Sequence, residues 1–178
     1  MKYFDEINKS MLWLSGQKET IFIGQAVSVP GTAMFNTLKG VSDSQRIELP
    51  VFEDTQLGMS IGMSLLGYKV ISIFPRWNFL LCASNQLVNH LDKFSLLSEG
   101  LVRPSIIIRT SVGSERPLFP GYQHIGNISD GFRKILSAVE IVELNEPKDI
   151  FEAYKYSYTR KDGKSTILVE FGDFYSEK

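Results

Sequence analysis

The sequence predicts an α/β fold, a three-layer α/β/α sandwich built around a mostly parallel sheet. Three observations carry that expectation. Short apolar, strand-forming runs such as TIFIGQAV and RPSIIIRT alternate with segments of helical periodicity along nearly the whole chain. Helices of about a dozen residues between strands imply right-handed crossovers, and hence parallel neighbours covered on both faces. The 178 residues are enough for a single domain over 1–178, burying about 70% of the surface of the unfolded chain without a disulfide or metal staple.

The elements follow in order. Tyr3, Ile7, Met11 and Leu14 fall at helical spacing, so a lead helix spans about residues 3–15 and ends at Gly16. TIFIGQAV reads as a buried strand, TAMFNTLKGV as a short helix and RIELPV as a second strand. DTQLGMSIGMSLLG forms the next helix, closed by Gly67. YKVISIF is the third strand. A long helix from about Asn78 to Leu97 follows, with Leu80, Leu81, Leu87, Leu91 and Phe94 on its apolar side. RPSIIIRT is a fully apolar strand. The segment behind it, SVGSERPLFPGYQHIGN, is too long and too rich in Gly and Pro for a tight connection, which marks a functional or mobile loop. The helix ISDGFRKILSA, the strand VEIVELN, the helix EPKDIFEAYKYSYTR with Pro147 in its first turn, and the strand STILVEF complete the alternation.

Composition narrows the function. A formal net charge of -1 leaves no overall pull toward nucleic acid or an anionic membrane. Asp5 and Glu6 stand where a signal peptide would be basic and then apolar, and no apolar run approaches ~20 residues, so a cytoplasmic protein is expected. The one cysteine, Cys82, can build neither a disulfide framework nor a zinc site, and reads as helix packing in a reducing compartment. Common nucleotide and zinc signatures are missing: there is no GxGxxG, P-loop, HExxH or CxxC.

One stretch stands out, RIELPVFEDTQLGMSIGMSLLG. Glu53 lies between an apolar strand and a helix, where open α/β sheets bind ligands, which makes it a candidate general base. A helix-start acid that interacts with the N-terminal dipole is the plainer alternative. Gly58 and Gly62 lie one helical turn apart, and each costs about 1 kcal/mol relative to Ala in a helix. Close approach of another backbone compensates such a loss, either within the domain or at an interface. His124, in the Gly/Pro loop, is a candidate acid-base group, whereas His90 reads as structural or surface.

The same residues resemble the pyrimidine-binding domain of thiamine diphosphate enzymes, particularly the N-terminal half of the β subunits of 2-oxoacid dehydrogenase E1 components and the transketolase middle domain. The matching pattern is Glu53, Gly58, Met59, Gly62 and Met63. PVFEDTQLG, WNFLLCASNQLVNH and PGYQHIGN resemble three further family segments, in the expected order. The resemblance implies that Glu53 hydrogen-bonds a ring nitrogen of the aminopyrimidine, that Phe79 stacks on that ring, and that His124 works near the substrate carbonyl. It places Gly58, Gly62 and Gln86 at a subunit interface. It implies thiamine diphosphate as cofactor and a keto compound as substrate, in ketol transfer or 2-oxoacid decarboxylation.

The departures from the family pattern shape the rest of the expectation. No GDG followed by a later Asn is present, so Mg²⁺ and the diphosphate would be held by a partner, E1 alpha-like or transketolase N-terminal-like, and this chain holds no metal. The chain also stops where the family's third domain would begin, which implies a subunit of a split enzyme or an excised domain. A homodimer or an α2β2 heterotetramer is the assembly expected. Gln25 and Ala26 replace an acidic pair, and Ile125 and Gly126 follow the histidine where the family has Ser-Gln. Gln25 and Ala26 support the alternative, a catalytically inactive scaffold or regulatory module that retains the fold.

Overall fold

Each strand puts alternate apolar residues on opposite faces of one sheet, and that alternation sets the architecture. The computed structural model describes residues 1–177. Its sheet is six-stranded and all parallel, in the order β2-β1-β3-β4-β6-β5, with β1 Thr20–Gly24, β2 Arg46–Glu48, β3 Lys69–Ile73, β4 Ile106–Val112, β5 Val139–Glu143 and β6 Ser165–Phe171. Phe22, Ile71, Ile107 and Leu168 point to one face, against α1 (Tyr3–Ser15) and α7 (Pro147–Thr159). Ile23, Val70, Ile106 and Ile167 point to the other, against α3 (Glu53–Leu65) and the helical segment after β3. This is the sandwich expected from the sequence. No helix among the described residues is long and apolar enough to cross a membrane.

In α1 the four apolar residues Tyr3, Ile7, Met11 and Leu14 are all fully buried. β1 stops sooner than its apolar run. Gly24 and Ala26 both take positive φ, and the carboxylate of Glu48 gathers the N–H groups of Ala26, Val27 and Ser28, which bends the chain away from the sheet. Only Ala33–Asn36 of the next segment is helical (α2), with Thr32 Oγ1 accepting from Phe35 N as its cap.

The long helix expected over 78–97 is not continuous. It is broken into α4 (Trp77–Cys82), a π-helical segment Gln86–Leu91 and α5 (Phe94–Leu97). Leu80, Leu87 and Leu91 are buried, but Leu81 is exposed. The wide turn, in which Asp92 N bonds Leu87 O, delivers Asp92 beneath the start of β5. There its carboxylate accepts the N–H groups of Ser137, Ala138 and Val139 and pairs with Lys93 Nζ at 2.6 Å. Burial works against that charge, but the Lys93 ammonium and the donors of Ala138 and Ser137 more than offset it and hold the carboxyl at about 2. Cys82 is exposed rather than packed, because it lies off the buried side of α4. His90 is exposed as well.

α6 (Ser129–Ile135) packs on β5, and a short helix that the periodicity did not announce, α8 (Phe174–Glu177), closes the chain. The rings of Phe174 and Tyr175 lie against Tyr3 of α1. Beneath them Arg109 of β4 and Glu170 of β6 form a fully buried two-bond ion pair, at 2.5 and 2.8 Å. The hydroxyls of Tyr154 and Tyr175 donate to Glu170. Burial, and then the neighbouring Glu170 charge, push both phenols well above their ordinary range, so they remain donors.

Candidate functional site

β1 leads outward to β2 on one side while β3 lies on its other side, so the carboxyl ends of β1 and β3 flank a topological switch point. A cleft of about 620 Å³ opens there. Its walls come from the loop after β1 (Gln25, Ala26, Val29), the end of β2 (Glu48, Leu49), the residues after β3 (Pro75, Arg76, Phe79) and the ends of β4 and β6 (Ser111, Gly113, Gly172), with Tyr175 of α8.

Glu53 is the first residue of α3 and is 7% exposed. The helix start is pinned from below: Gln56 Nε2 donates to Ile73 O at 2.9 Å, and Ser60 Oγ to Ser72 Oγ at 3.0 Å. Gly24 makes room for this arrangement, since a Cβ there would lie 2.2 Å from Ile73 O and 2.7 Å from Gln56 Nε2. The lead into the helix therefore has little freedom. Gln25 Nε2 donates to Glu53 Oε1 at 3.0 Å. Glu53 itself does not line the cleft; Gln25, which does, connects it to the cavity.

Phe79 does line the cleft, and its ring lies 5.7 Å, centroid to centroid, from that of His124. His124 Nδ1 is 3.1 Å from Asn78 Oδ1; an amide oxygen only accepts, so Nδ1 carries the proton and Nε2 is left as an acceptor. The long loop that carries His124 is tethered at its start. Asp173 accepts from Glu115 N at 3.0 Å and Arg116 N at 3.2 Å, and Arg76 Nε donates to Gly113 O at 3.0 Å. The structure thus brings Phe79 and His124 together, while Glu53 lies off the cleft lining and bonds Gln25.

Gly58 faces the Gln86 side chain, with a would-be Cβ 3.5 Å from Gln86 Cδ. Gln86 Nε2 donates to Asp54 Oδ2 at 3.2 Å. Gly62 faces open space and is exposed. Within the described residues, then, only Gly58 has a packing partner. Among these residues no group of three or more His, Cys, Asp or Glu side chains could hold a metal ion.

Sequence reasoning passed over Glu48, Arg76 and Asp173. Glu48 carried the same signal as Glu53, an acid closing an apolar strand, but Arg76 and Asp173 gained their meaning only from distant partners.

No family model matches the chain. A curated relative, the pyruvate dehydrogenase E1 component subunit beta of Gracilaria tenuistipitata var. liui, is 27% identical over 136 residues, covering 76% of this chain and 41% of that protein. A solved split gene transketolase, an inactive beta4 tetramer, superposes with a TM-score of 0.72 at 10% identity, covering 94% of this chain and 50% of that one. The chain spans half or less of the length of each. The second likeness speaks to fold alone, and the fold is of the transketolase type. Together the two findings agree with the resemblance drawn from the sequence: the chain is similar, at low identity, to an E1 component beta subunit and shares its fold with a transketolase.

Proposed function

We propose that this chain supplies the pyrimidine half of a thiamine diphosphate site to a separate diphosphate-binding subunit, and that the pair cleaves a C–C bond beside a carbonyl. The observation that carries the reading is Glu53: a carboxylate buried at a helix start, at the switch point of a parallel sheet, with one oxygen held by Gln25 beside a cleft that Phe79 lines. One acid and one aromatic face suit a planar heterocycle that presents a ring nitrogen. The metal-bound diphosphate is assigned to the partner, as the missing GDG motif implies. When bound, the cofactor would supply the electron sink for bond cleavage.

The residues of this chain take the remaining work. Glu53, buried at the start of α3 and reached from the cleft past Gln25, would accept or share the proton at the ring nitrogen. Phe79 fixes the orientation of the ring by an apolar face contact. His124, held by Asn78 through Nδ1, offers Nε2 to the substrate. Gly58 and Gly62 present a flat helix face to a second subunit, in a homodimer or an α2β2 assembly. The cytoplasm is the setting proposed.

The test is reconstitution with the partner. Glu53→Gln preserves shape but not the shared proton, so turnover falls by about 10²- to 10⁴-fold while sedimentation shows the assembly unchanged. Unchanged turnover in that variant would instead favour the non-catalytic module, the reading that Gln25 and Ala26 support. The chain by itself is expected to show negligible affinity for thiamine diphosphate in calorimetry; tight stoichiometric binding would contradict the division of the site between chains.

A further inference from the structure

Among the described residues lining the cleft there is one cation, Arg76, and the reading above gives it no task in the chemistry. Its setting differs from that of the arginines held in ion pairs; like Arg103, it bonds a backbone carbonyl. Arg46, Arg109, Arg133 and Arg160 each pair with a carboxylate. Arg76 pairs with none of the described carboxylates; its Nε donates to Gly113 O at 3.0 Å, which fixes the guanidinium against the β4 end and leaves both Nη groups as donors. Partial burial pulls its pKa below the usual guanidinium range, yet an arginine stays charged. A partly desolvated, uncompensated positive charge is the setting in which a charge-assisted hydrogen bond is strong.

The neighbouring groups decide which anion fits. Glu48, the acid of the cleft lining, is already occupied by the N–H groups of Ala26, Val27 and Ser28. Ser111 Oγ donates to Pro75 O, and the Tyr175 hydroxyl donates to Glu170, so neither offers its proton to a ligand. Among the charged groups of the described lining, what remains is one planar pair of N–H donors carrying one positive charge, with Gln25, Thr32 and Ser114 as neutral polar neighbours. Two coplanar oxygens sharing one negative charge match that pair; a phosphate dianion would bring a second charge with no further cation in the described lining to balance it, in a cleft that Glu48 also lines.

We propose that Arg76 anchors the carboxylate of a small 2-oxo acid in this cleft, and so acts as a specificity-determining residue. In taking that acid as the substrate it rests on the function proposed above; the binding of the carboxylate does not.

The test is an amide NMR titration of the isotope-labelled full chain with pyruvate, inorganic phosphate and the neutral ketone dihydroxyacetone, repeated on Arg76→Gln and Arg76→Lys. Pyruvate is expected to produce saturable shifts around residues 75–79 and 111–114 in the millimolar range. Arg76→Gln should weaken that binding about ten-fold or more, the loss of one charge-assisted contact, and Arg76→Lys, which keeps the charge but not the fork, by less. Dihydroxyacetone should give no such shifts. The proposal is overturned if pyruvate gives no saturable shifts, if both variants bind it as the unaltered chain does, or if phosphate competes at equal or higher affinity. Because the titration needs neither cofactor nor partner, it separates the two ideas: Arg76-dependent pyruvate binding alongside a fully active Glu53→Gln complex would sink the enzymatic reading and leave this one standing.

Discussion

At the scale of single residues, the carboxylates of this chain differ in what satisfies them, and that decides what each can do. Glu48 is held by three backbone N–H groups and shapes the cleft wall. Glu48→Ala should leave those donors without their acceptor and destabilise the fold by about 1–3 kcal/mol, read as a lower urea midpoint. Glu170 is locked to Arg109 with both side chains fully buried. Arg109→Met strands the Glu170 charge and should cost about 3–5 kcal/mol. Adding Glu170→Gln, whose carbonyl still accepts from Tyr154 and Tyr175, should recover much of that loss in the same denaturation experiment, and no recovery would mean that the pair stabilises more than it costs to bury. Glu53 has an oxygen held by the neutral side chain of a cleft residue, Gln25, which is why the functional reading settles on it. Its place between strand and helix was legible in the sequence; its link to Gln25, 28 residues away, was not.

At the scale of elements, the helices that behaved as their periodicity implied are those with one simple apolar face, α1, α3 and α7. The segment after β3 did not, because Asp92 must turn inward to hold the Ser137–Val139 amides, and a regular helix carrying Leu80, Leu87 and Leu91 inward does not place it there. Asp92→Asn removes the charge that meets Lys93 and should destabilise by roughly 1–3 kcal/mol in urea. The glycine face of α3 is a second element-scale test. Gly62 has open space around its Cα, so Gly62→Ala should stabilise the isolated chain by up to about 1 kcal/mol through helix propensity. If that face meets a second subunit, the same variant should weaken the assembly, as sedimentation would show. A variant that is both more stable and equally assembled would remove Gly62 from the interface.

At the scale of the whole molecule, acid stability follows from carboxyls held below their usual values. Asp92 moves from an ordinary 3.8 to about 2. Glu143 is lowered too, burial being outweighed by Asn127 and Arg133, and Asp162 is lowered by its bonds to Arg160. A lowered folded-state pKa means that the native chain binds fewer protons than the unfolded one, so stability rises with pH across that interval. It should be fully present above about pH 4 and lost as the pH falls toward about 2, with Asp92→Asn flattening that limb in a series of thermal melts. By itself the sequence determined the layered α/β class, the faces of the regular helices and the motif around Glu53, because periodicity, caps and spacing act over a few residues. The all-parallel strand order, the interruption after Cys82, the exposure of Cys82 and the cleft itself were decided only in three dimensions. Each depends on partners far apart along the chain, as when Arg76 meets Gly113 across 37 residues, and no local pattern encodes such a meeting.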